Sequence, residues 1–400
     1  MNYSDYNTGT GASTNVTLMD ENLNEVLALE SKLSSSNIPE GLKEEAMRSV
    51  QRLKRMFKMG GYSGEFETVN KYIDWITRIP WGVTTKDNFN IENAKNLMDK
   101  THYGMDTIKD LILDYLATMQ LQSMGGIGRN NLPSQVPFAN NNMQTEHVEM
   151  AVLKGSSANA PVFLFVGLQG VGKTSIAKSI ASSMGRKFSR VSLGAIGDVR
   201  TLRGTPRYSM DAEPGQIVKS LVRCGTMNPV ILLDEIEKSS GNAGLLSDVM
   251  ASLLEILDSE QNTTFSDHYI DYPIDLSKVF FICTANNLGG LSAALLDRVE
   301  VIRFTSYSDQ EKEVIAKQYI LPRVLENLNL SSEYVRIEDD VWPLIIRPVG
   351  FDAGIRQLER NITTLVRSAA RMIVEGKPLP IVVNISNLNQ YVLADQGPLS

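Results

Sequence analysis

The sequence predicts an α/β chain: a parallel sheet between two layers of helices, preceded by a helical domain and followed by a small, mostly helical lid. Three observations predict it. Apolar residues recur at helical steps through the first 120 positions, and short apolar runs then alternate with helical stretches between 161 and 305. A glycine-rich segment, Gly167-Leu-Gln-Gly-Val-Gly172-Lys173-Thr174, joins one of those runs to a helix, as expected of a phosphate-binding P-loop fold.

Residues 1–24 are Asn, Ser, Thr, Gly and acidic, with little to bury, and are expected to form a flexible polar tail. Within a helical domain at 25–122, Leu42, Ala46, Val50, Leu53 and Phe57 put one apolar stripe on a helix from Glu40 to Lys58. Phe66, Val69, Ile73 and Ile76 repeat the spacing until Pro80 stops it, and Met105, Ile108, Leu111, Ile112 and Leu116 mark a third helix. Residues 123–160 turn to Gly, Asn, Gln, Ser and Pro and read as a mobile linker or insertion. Strands are then expected at Val162–Val166, Val230–Leu233, Val279–Ile282 and Val299–Phe304, inside an α/β domain at 161–305. Ser308 and Glu311 form a capping box that opens the lid, 306–385, and Ile355, Leu358, Ile362, Leu365, Ala369 and Ile373 stripe a further helix before a tail at 386–400.

Composition narrows the chemistry. The balance of 39 basic against 46 acidic residues gives −7, with no global attraction to phosphate backbones or anionic lipid, and no apolar run is long enough to cross a membrane. Two cysteines, Cys224 and Cys283, and three histidines, His102, His147 and His268, leave no disulfide framework and too few ligands for a Cys/His zinc cluster. The first basic side chain is Lys32, so the N-terminus lacks the charged head of a secretory signal and the arginines of a presequence; a cytoplasmic location is expected.

The glycine-rich segment lies directly after one strand and before a helix, where main-chain N–H groups and the helix dipole can wrap a phosphate chain. Gly167, Gly170, Val171, Gly172, Lys173, Thr174 and Ser175 are therefore candidates for nucleotide binding, with Lys173 reaching the outer phosphates and the Thr174 hydroxyl ligating Mg²⁺. Val230-Ile-Leu-Leu-Asp234-Glu235 ends a buried-type strand in two carboxylates, so that Asp234 can hold the metal shell and Glu235 can orient and deprotonate water. The next strand ends at Asn286, a polar amide for the γ-phosphate or the attacking water, which otherwise reads as a turn residue. Arg298, before the last strand, offers a guanidinium to a neighbouring subunit's nucleotide, or simply a surface ion pair. Arg356 opens a lid helix as a second phosphate contact.

These elements in this order resemble an AAA+ ATPase, and more closely the ATPase part of Lon proteases. The similarity is carried by Tyr72-Ile-Asp-Trp75, Ile79-Pro-Trp-Gly82, His102-Tyr-Gly104, the stretch from Val166 through Ala177, Asp258-Ser-Glu-Gln-Asn262, Phe265-Ser-Asp-His-Tyr269, Asp275-Leu-Ser-Lys278 and Leu295-Leu-Asp-Arg-Val-Glu-Val-Ile302. It implies ATP and Mg²⁺ as cofactors, Glu235, Asn286 and Arg298 as catalytic residues with Arg298 acting in trans, and Arg356 as second sensor. It further implies a homo-hexameric ring that unfolds and threads protein substrates, gripped by central loops that here correspond to Tyr208, Ser209 and Met210.

Departures from the family pattern matter. Gln169 replaces the usual proline, at a position where the backbone faces phosphate, and the aromatic of the 205–215 segment stands one place early. The family's Ser–Lys proteolytic domain does not follow by residue 400, so peptidase activity is not expected from this chain. Two readings stay open: the motor part of a larger protease, or a free-standing remodelling ATPase serving a separate protease component. A loader of nucleic-acid machinery is the further alternative, resting on Arg48, Arg52, Lys54, Arg55 and Lys58, although Glu40, Glu44 and Glu45 share that helix.

Overall fold

The computed structural model describes residues 11–58, 64–123, 162–195, 199–209, 211–239, 243–347 and 354–391. Its helices are α1 (Gly11–Ser35), α2 (Glu40–Lys58), α3 (Glu65–Arg78), α4 (Ile91–Thr101), α5 (Asp106–Ser123), α6 (Lys173–Ser183), α7 (Arg200–Arg203), α8 (Gln216–Cys224), α9 (Ala243–Leu257), α10 (Ala293–Leu296), α11 (Asp309–Ile315), α12 (Leu321–Asn327), α13 (Trp342–Ile346) and α14 (Arg356–Val374). Its strands are β1 (Val162–Val166), β2 (Phe188–Ser192), β3 (Val230–Asp234), β4 (Phe265–Ser266), β5 (Pro273–Ile274), β6 (Phe280–Ala285), β7 (Val299–Arg303), β8 (Val335–Ile337) and β9 (Ile381–Val383). Five strands form a parallel sheet in the order β2-β3-β6-β1-β7, flanked by helices. Because β1 lies between β6 and β7, while the chain after it leads to the far edge, the strand order reverses beside β1. In open α/β sheets that switch point opens a crevice at the carboxyl ends of the strands.

The chain divides into two compact units. The first comprises 1–85, 189–231 and 239–280. Its helical part follows the predicted stripes: Leu42, Ala46, Val50 and Leu53 of α2 are fully buried, as are Ile73 and Ile76 of α3. Helix α1 takes in residues 11–24, which composition had assigned to a tail; no Gly or Pro interrupts the chain between 12 and 38, and buried Val26, Leu29 and Leu33 anchor its second half. The second unit comprises 86–188, 232–238 and 281–400. The helices expected as one N-terminal domain are thus shared out, α1–α3 to the first unit and α4 and α5 to the second.

In the second unit all five residues of β1 are buried, the pattern of a strand covered on both faces. Beyond β7 the Ser308 capping box starts α11: the Ser308 hydroxyl accepts from Glu311 N at 3.3 Å, and the Glu311 carboxylate accepts from Ser308 N at 2.8 Å. A π turn at Ala316–Ile320 joins α11 to α12, just before Pro322, whose missing N–H and bulky ring disfavour an unbroken α-helical ladder. The lid packs around Trp342, Ile362, Leu365, Val366 and Val383, with β8 paired parallel to β9. Tyr391 is buried in the same cluster and Leu388 packs against it, so the stretch expected as a tail from 386 is anchored to the lid at these two residues. The expected linker is helical at its first residue, Ser123, and otherwise lies outside the described residues, as do 1–10 and 392–400. Among the described residues no helix is long and apolar enough to cross a membrane.

Candidate active site

The crevice forms at the carboxyl ends of β1, β3 and β6, wholly within the second unit. Its walls are residues 169–175, Asp234 and Glu235, Thr284 and Asn286, and, from the lid, Arg323, Ile355, Arg356 and Glu359. Gly170, Val171, Gly172, Lys173, Thr174, Ser175, Asp234, Glu235, Asn286 and Arg356, separated by up to 186 positions in the sequence, therefore share one pocket. Gly167 is not among the lining residues. It lies against Phe304, the residue after β7, and an added Cβ would stand 2.6 Å from the Phe304 carbonyl oxygen.

The cradle needs its glycines. Gly170 and Gly172 have φ of +81° and +99°, a region that side-chain-bearing residues rarely enter, and a Cβ on Gly170 would meet Arg356 at 3.2 Å. The lid's approach is fixed by main chain: Ile355 N donates to Gly170 O at 3.1 Å, and a Cβ on Gly354 would stand 2.4 Å from Gln169 O. Tyr307 Oη also donates to Val171 O at 3.1 Å.

Lys173 is nearly buried at 9% exposure. Its Nζ donates to Gly167 O, to Leu168 O at 3.1 Å and to Asn286 Oδ1 at 3.2 Å. Burial holds the ammonium below its ordinary pKa, while Glu237 and Asp234 pull it the other way. Asp234 is buried and accepts from the Thr284 hydroxyl, which in turn accepts from Glu235 N at 3.1 Å. Glu235 has φ +59°, so the strand turns sharply at the second acid. Its carboxylate accepts from Lys238 Nζ at 2.9 Å.

Several members of the site carried no signal that sequence reasoning used. Glu237 accepts from Asn286 Nδ2 at 2.7 Å and so orients the amide; its place two residues after Glu235 was the available clue. Thr284 orders both acids, and Arg323 and Glu359 complete the lid wall. Behind the cradle, His102 Nε2 lies 2.9 Å from Ser175 Oγ, and its Nδ1 lies 2.8 Å from Thr101 Oγ1. Ser175 Oγ itself donates to Gly172 O at 2.9 Å, which leaves it to accept from the imidazole.

Two predicted groups are not among the residues that line the pocket. Arg298 is exposed, and its Nη1 donates to Ala294 O at 3.0 Å. The Tyr208 segment belongs to the first unit, where Thr205 N donates to Glu213 O at 3.0 Å and Gly215 N to buried Asp267 at 2.7 Å, closing the base of a loop. Tyr208 is 91% exposed at its tip, Ser209 is exposed beside it, and Met210 lies outside the described residues.

The pocket's donors fit a nucleotide with magnesium. Among the described residues there is no cluster of three or more His, Cys, Asp or Glu side chains able to hold a metal. One carboxylate, Asp234, and one hydroxyl, Thr174, suit Mg²⁺, which keeps only one or two protein ligands when phosphates complete its shell.

Comparison with known proteins agrees with this geometry. Residues 163–307 match the ATPase family associated with various cellular activities (AAA), and residues 326–381 match the Lon protease AAA+ ATPase lid domain. Lon protease 2 of Thermus thermophilus is 40% identical over 373 residues, 93% of this chain and 43% of that protein. The Lon proteases of Lawsonia intracellularis and Elusimicrobium minutum are each 38% identical over 93% of this chain and 40% of theirs. The chain therefore spans about two fifths of the length of the curated relatives it matches. With an AAA domain and a Lon-type lid in tandem, it is an AAA+ ATPase module of the Lon protease family.

Proposed function

We propose that this chain binds ATP with Mg²⁺ in the crevice beside β1 and couples its hydrolysis to the unfolding and threading of protein substrates for ATP-dependent proteolysis. The supporting observation is the pocket itself, where a main-chain cradle, a buried lysine, two acids and a lid arginine converge. Mg²⁺, when bound, supplies charge neutralisation across the phosphate oxygens, with Thr174 and Asp234 as its protein ligands. Lys173, already short of water, exchanges carbonyl partners for phosphate oxygens. Glu235 takes the proton of the attacking water, and Asn286, set by Glu237, positions that water or the γ-phosphate. Arg356 brings lid charge to the phosphates. Arg298, exposed and away from its own pocket, is suited to serve the next subunit of a homo-hexamer. Tyr208 and Ser209, with Met210, grip the polypeptide.

A nucleic-acid loader is the weaker reading. Of the basic residues on α2, Arg48, Arg52 and Lys54 are paired with Glu44, Glu65 and Glu30 at 3.5, 3.0 and 2.7 Å, which leaves a mixed face where a phosphate stripe would be needed.

The test is ATP-dependent unfolding of a tagged fluorescent protein by this chain, with ring size measured alongside. Lys173→Ala is expected to weaken ATP binding by about 1.5–3 kcal/mol for each charge-assisted bond lost. Glu235→Gln is expected to bind ATP and not hydrolyse it; unchanged turnover in that variant removes Glu235 from the chemistry. ATP hydrolysis with no unfolding of any substrate leaves an ATPase and sinks the motor.

A further inference from the structure

One pair of charges in the pocket has no place in the scheme above. Arg323 of α12 and Glu359 of α14 both line the crevice beside residues 169–175, and they face each other, with Arg323 Nη2 donating to Glu359 Oε1 at 2.8 Å. Both side chains are half-exposed, 55% and 44%, so the pair is screened by water and holds weakly. Their positions, by contrast, are firm. Val324 and Leu325, the next two residues of α12, are buried in the lid core and fix the rotation that leaves Arg323 on the pocket side. Glu359 lies in the first turn of α14, which is tied to the cradle through Ile355 N and Gly170 O. A guanidinium at such a site has a weak carboxylate partner within the protein and stands beside a cradle built for oxygen anions, with which planar guanidinium groups form strong, paired hydrogen bonds.

We propose that Arg323 is a further nucleotide-binding residue: it reaches the phosphates of the bound nucleotide, and Glu359 holds it aside when the pocket is empty. This rests on the reading of the crevice as an ATP site. It assigns opposite consequences to the two members of one ion pair. Removing Arg323 removes a phosphate contact, whereas removing the charge of Glu359 releases Arg323 and relieves a repulsion of the nucleotide.

The experiment measures binding of ATP, ADP and adenosine to the full chain by calorimetry, for wild type, Arg323→Gln, Arg323→Lys, Glu359→Gln and the double variant, with melting curves in the absence of nucleotide to verify folding. Arg323→Gln is expected to weaken ATP binding roughly tenfold to a hundredfold and to leave adenosine, which has no phosphate, unchanged. Arg323→Lys, a point charge without the fork, is expected to fall between. Glu359→Gln is expected to tighten ATP binding several-fold, and most of that gain is expected to vanish in the double variant, as coupled neighbours require. Unchanged ATP affinity in Arg323→Gln overturns the proposal, as does an equal loss for adenosine, which would mean that the side chain acts through the fold. An identical gain from Glu359→Gln with and without Arg323 overturns the restraint by Glu359. A wild-type chain that binds no ATP overturns the reading of the whole crevice, an outcome distinct from wild-type binding that Arg323→Gln leaves untouched.

Discussion

Individual residues in the second unit carry conformational and electrostatic costs. Glu235 sits in the left-handed region at φ +59°, a conformation that costs a side-chain-bearing residue about 1–3 kcal/mol. That turn lets the carboxylate leave the strand axis while its main-chain N–H is held by Thr284. His102 is a second such cost. It is buried behind Ser175, and burial, with added repulsion from Lys109, lowers its pKa to about 4 from the ordinary 6.5. The sign follows directly. Above pH 6.5 the imidazole is neutral in both folded and unfolded chains; between 6.5 and 4 the unfolded chain takes up a proton that the folded one refuses, so stability falls as pH falls through that window and levels off below it. The full loss is on the order of 3 kcal/mol. His102→Gln keeps a neutral donor and cannot titrate, so the fall in thermal midpoint between pH 7 and pH 5 is expected to be smaller in the variant than in wild type. Equal falls in both would show that His102 is not the group responsible. The candidate side chains that line the pocket were legible because each occupies a fixed place after a strand: Lys173 and Thr174 after β1, Asp234 and Glu235 at the end of β3, Asn286 after β6. Glu237, Thr284, Arg323 and Glu359 were not, because their roles arise from contact across 36 to 50 positions and no short spacing encodes that.

At the scale of elements, periodicity found what was long and one-sided and missed what was short or polar. Helix α2 runs over the predicted residues because its apolar stripe is continuous. Strand β2, at the edge of the sheet, reads Phe-Ser-Arg-Val-Ser with only its second and fourth residues buried, too polar for an apolar-run criterion. Helix α4 buries little more than Ala94 and Met98, though Asn90 caps it by accepting from Asn93 N at 2.9 Å, a start signal that the sequence did carry. The capping box of α11 was the most local of the predicted features and is present in the fold. It begins the lid one residue after Tyr307, the side chain that tethers this end of the lid to Val171. Ser308→Ala is expected to destabilise α11 by about 1 kcal/mol and to increase hydrogen exchange in its first turn, with little change in distant helices. Unaltered exchange at residues 309–312 would mean that the Glu311 half of the box suffices.

At the scale of the whole molecule, the proposed role of Arg298 ties the pocket of one copy to a side chain of another. Everything that lines the crevice comes from the second unit, yet Arg298, which lies in that unit too, is not among the lining residues and donates back to Ala294 O of the preceding helix α10. An exposed guanidinium, reached by solvent, can be redirected toward a triphosphate on an adjoining copy, where charge-assisted hydrogen bonds are stronger than one to a main-chain carbonyl. If it acts in this way, a complete site needs the pocket of one subunit and the arginine of the next, and two defects placed on different subunits complement each other. Arg298→Ala and Glu235→Gln are each expected to bind ATP and to be nearly inactive alone. Mixed in equal amounts and allowed to exchange subunits, they form some junctions in which an intact Glu235 faces an intact Arg298. Random arrangement around a ring makes these roughly a quarter of all junctions, so ATPase activity is expected to recover up to about that fraction of wild type. Recovery should disappear on dilution below the concentration at which the ring assembles. A mixture as silent as its components, under conditions where ring size shows mixed assembly, would return Arg298 to the role of a surface residue and require the missing positive charge to come from within the pocket.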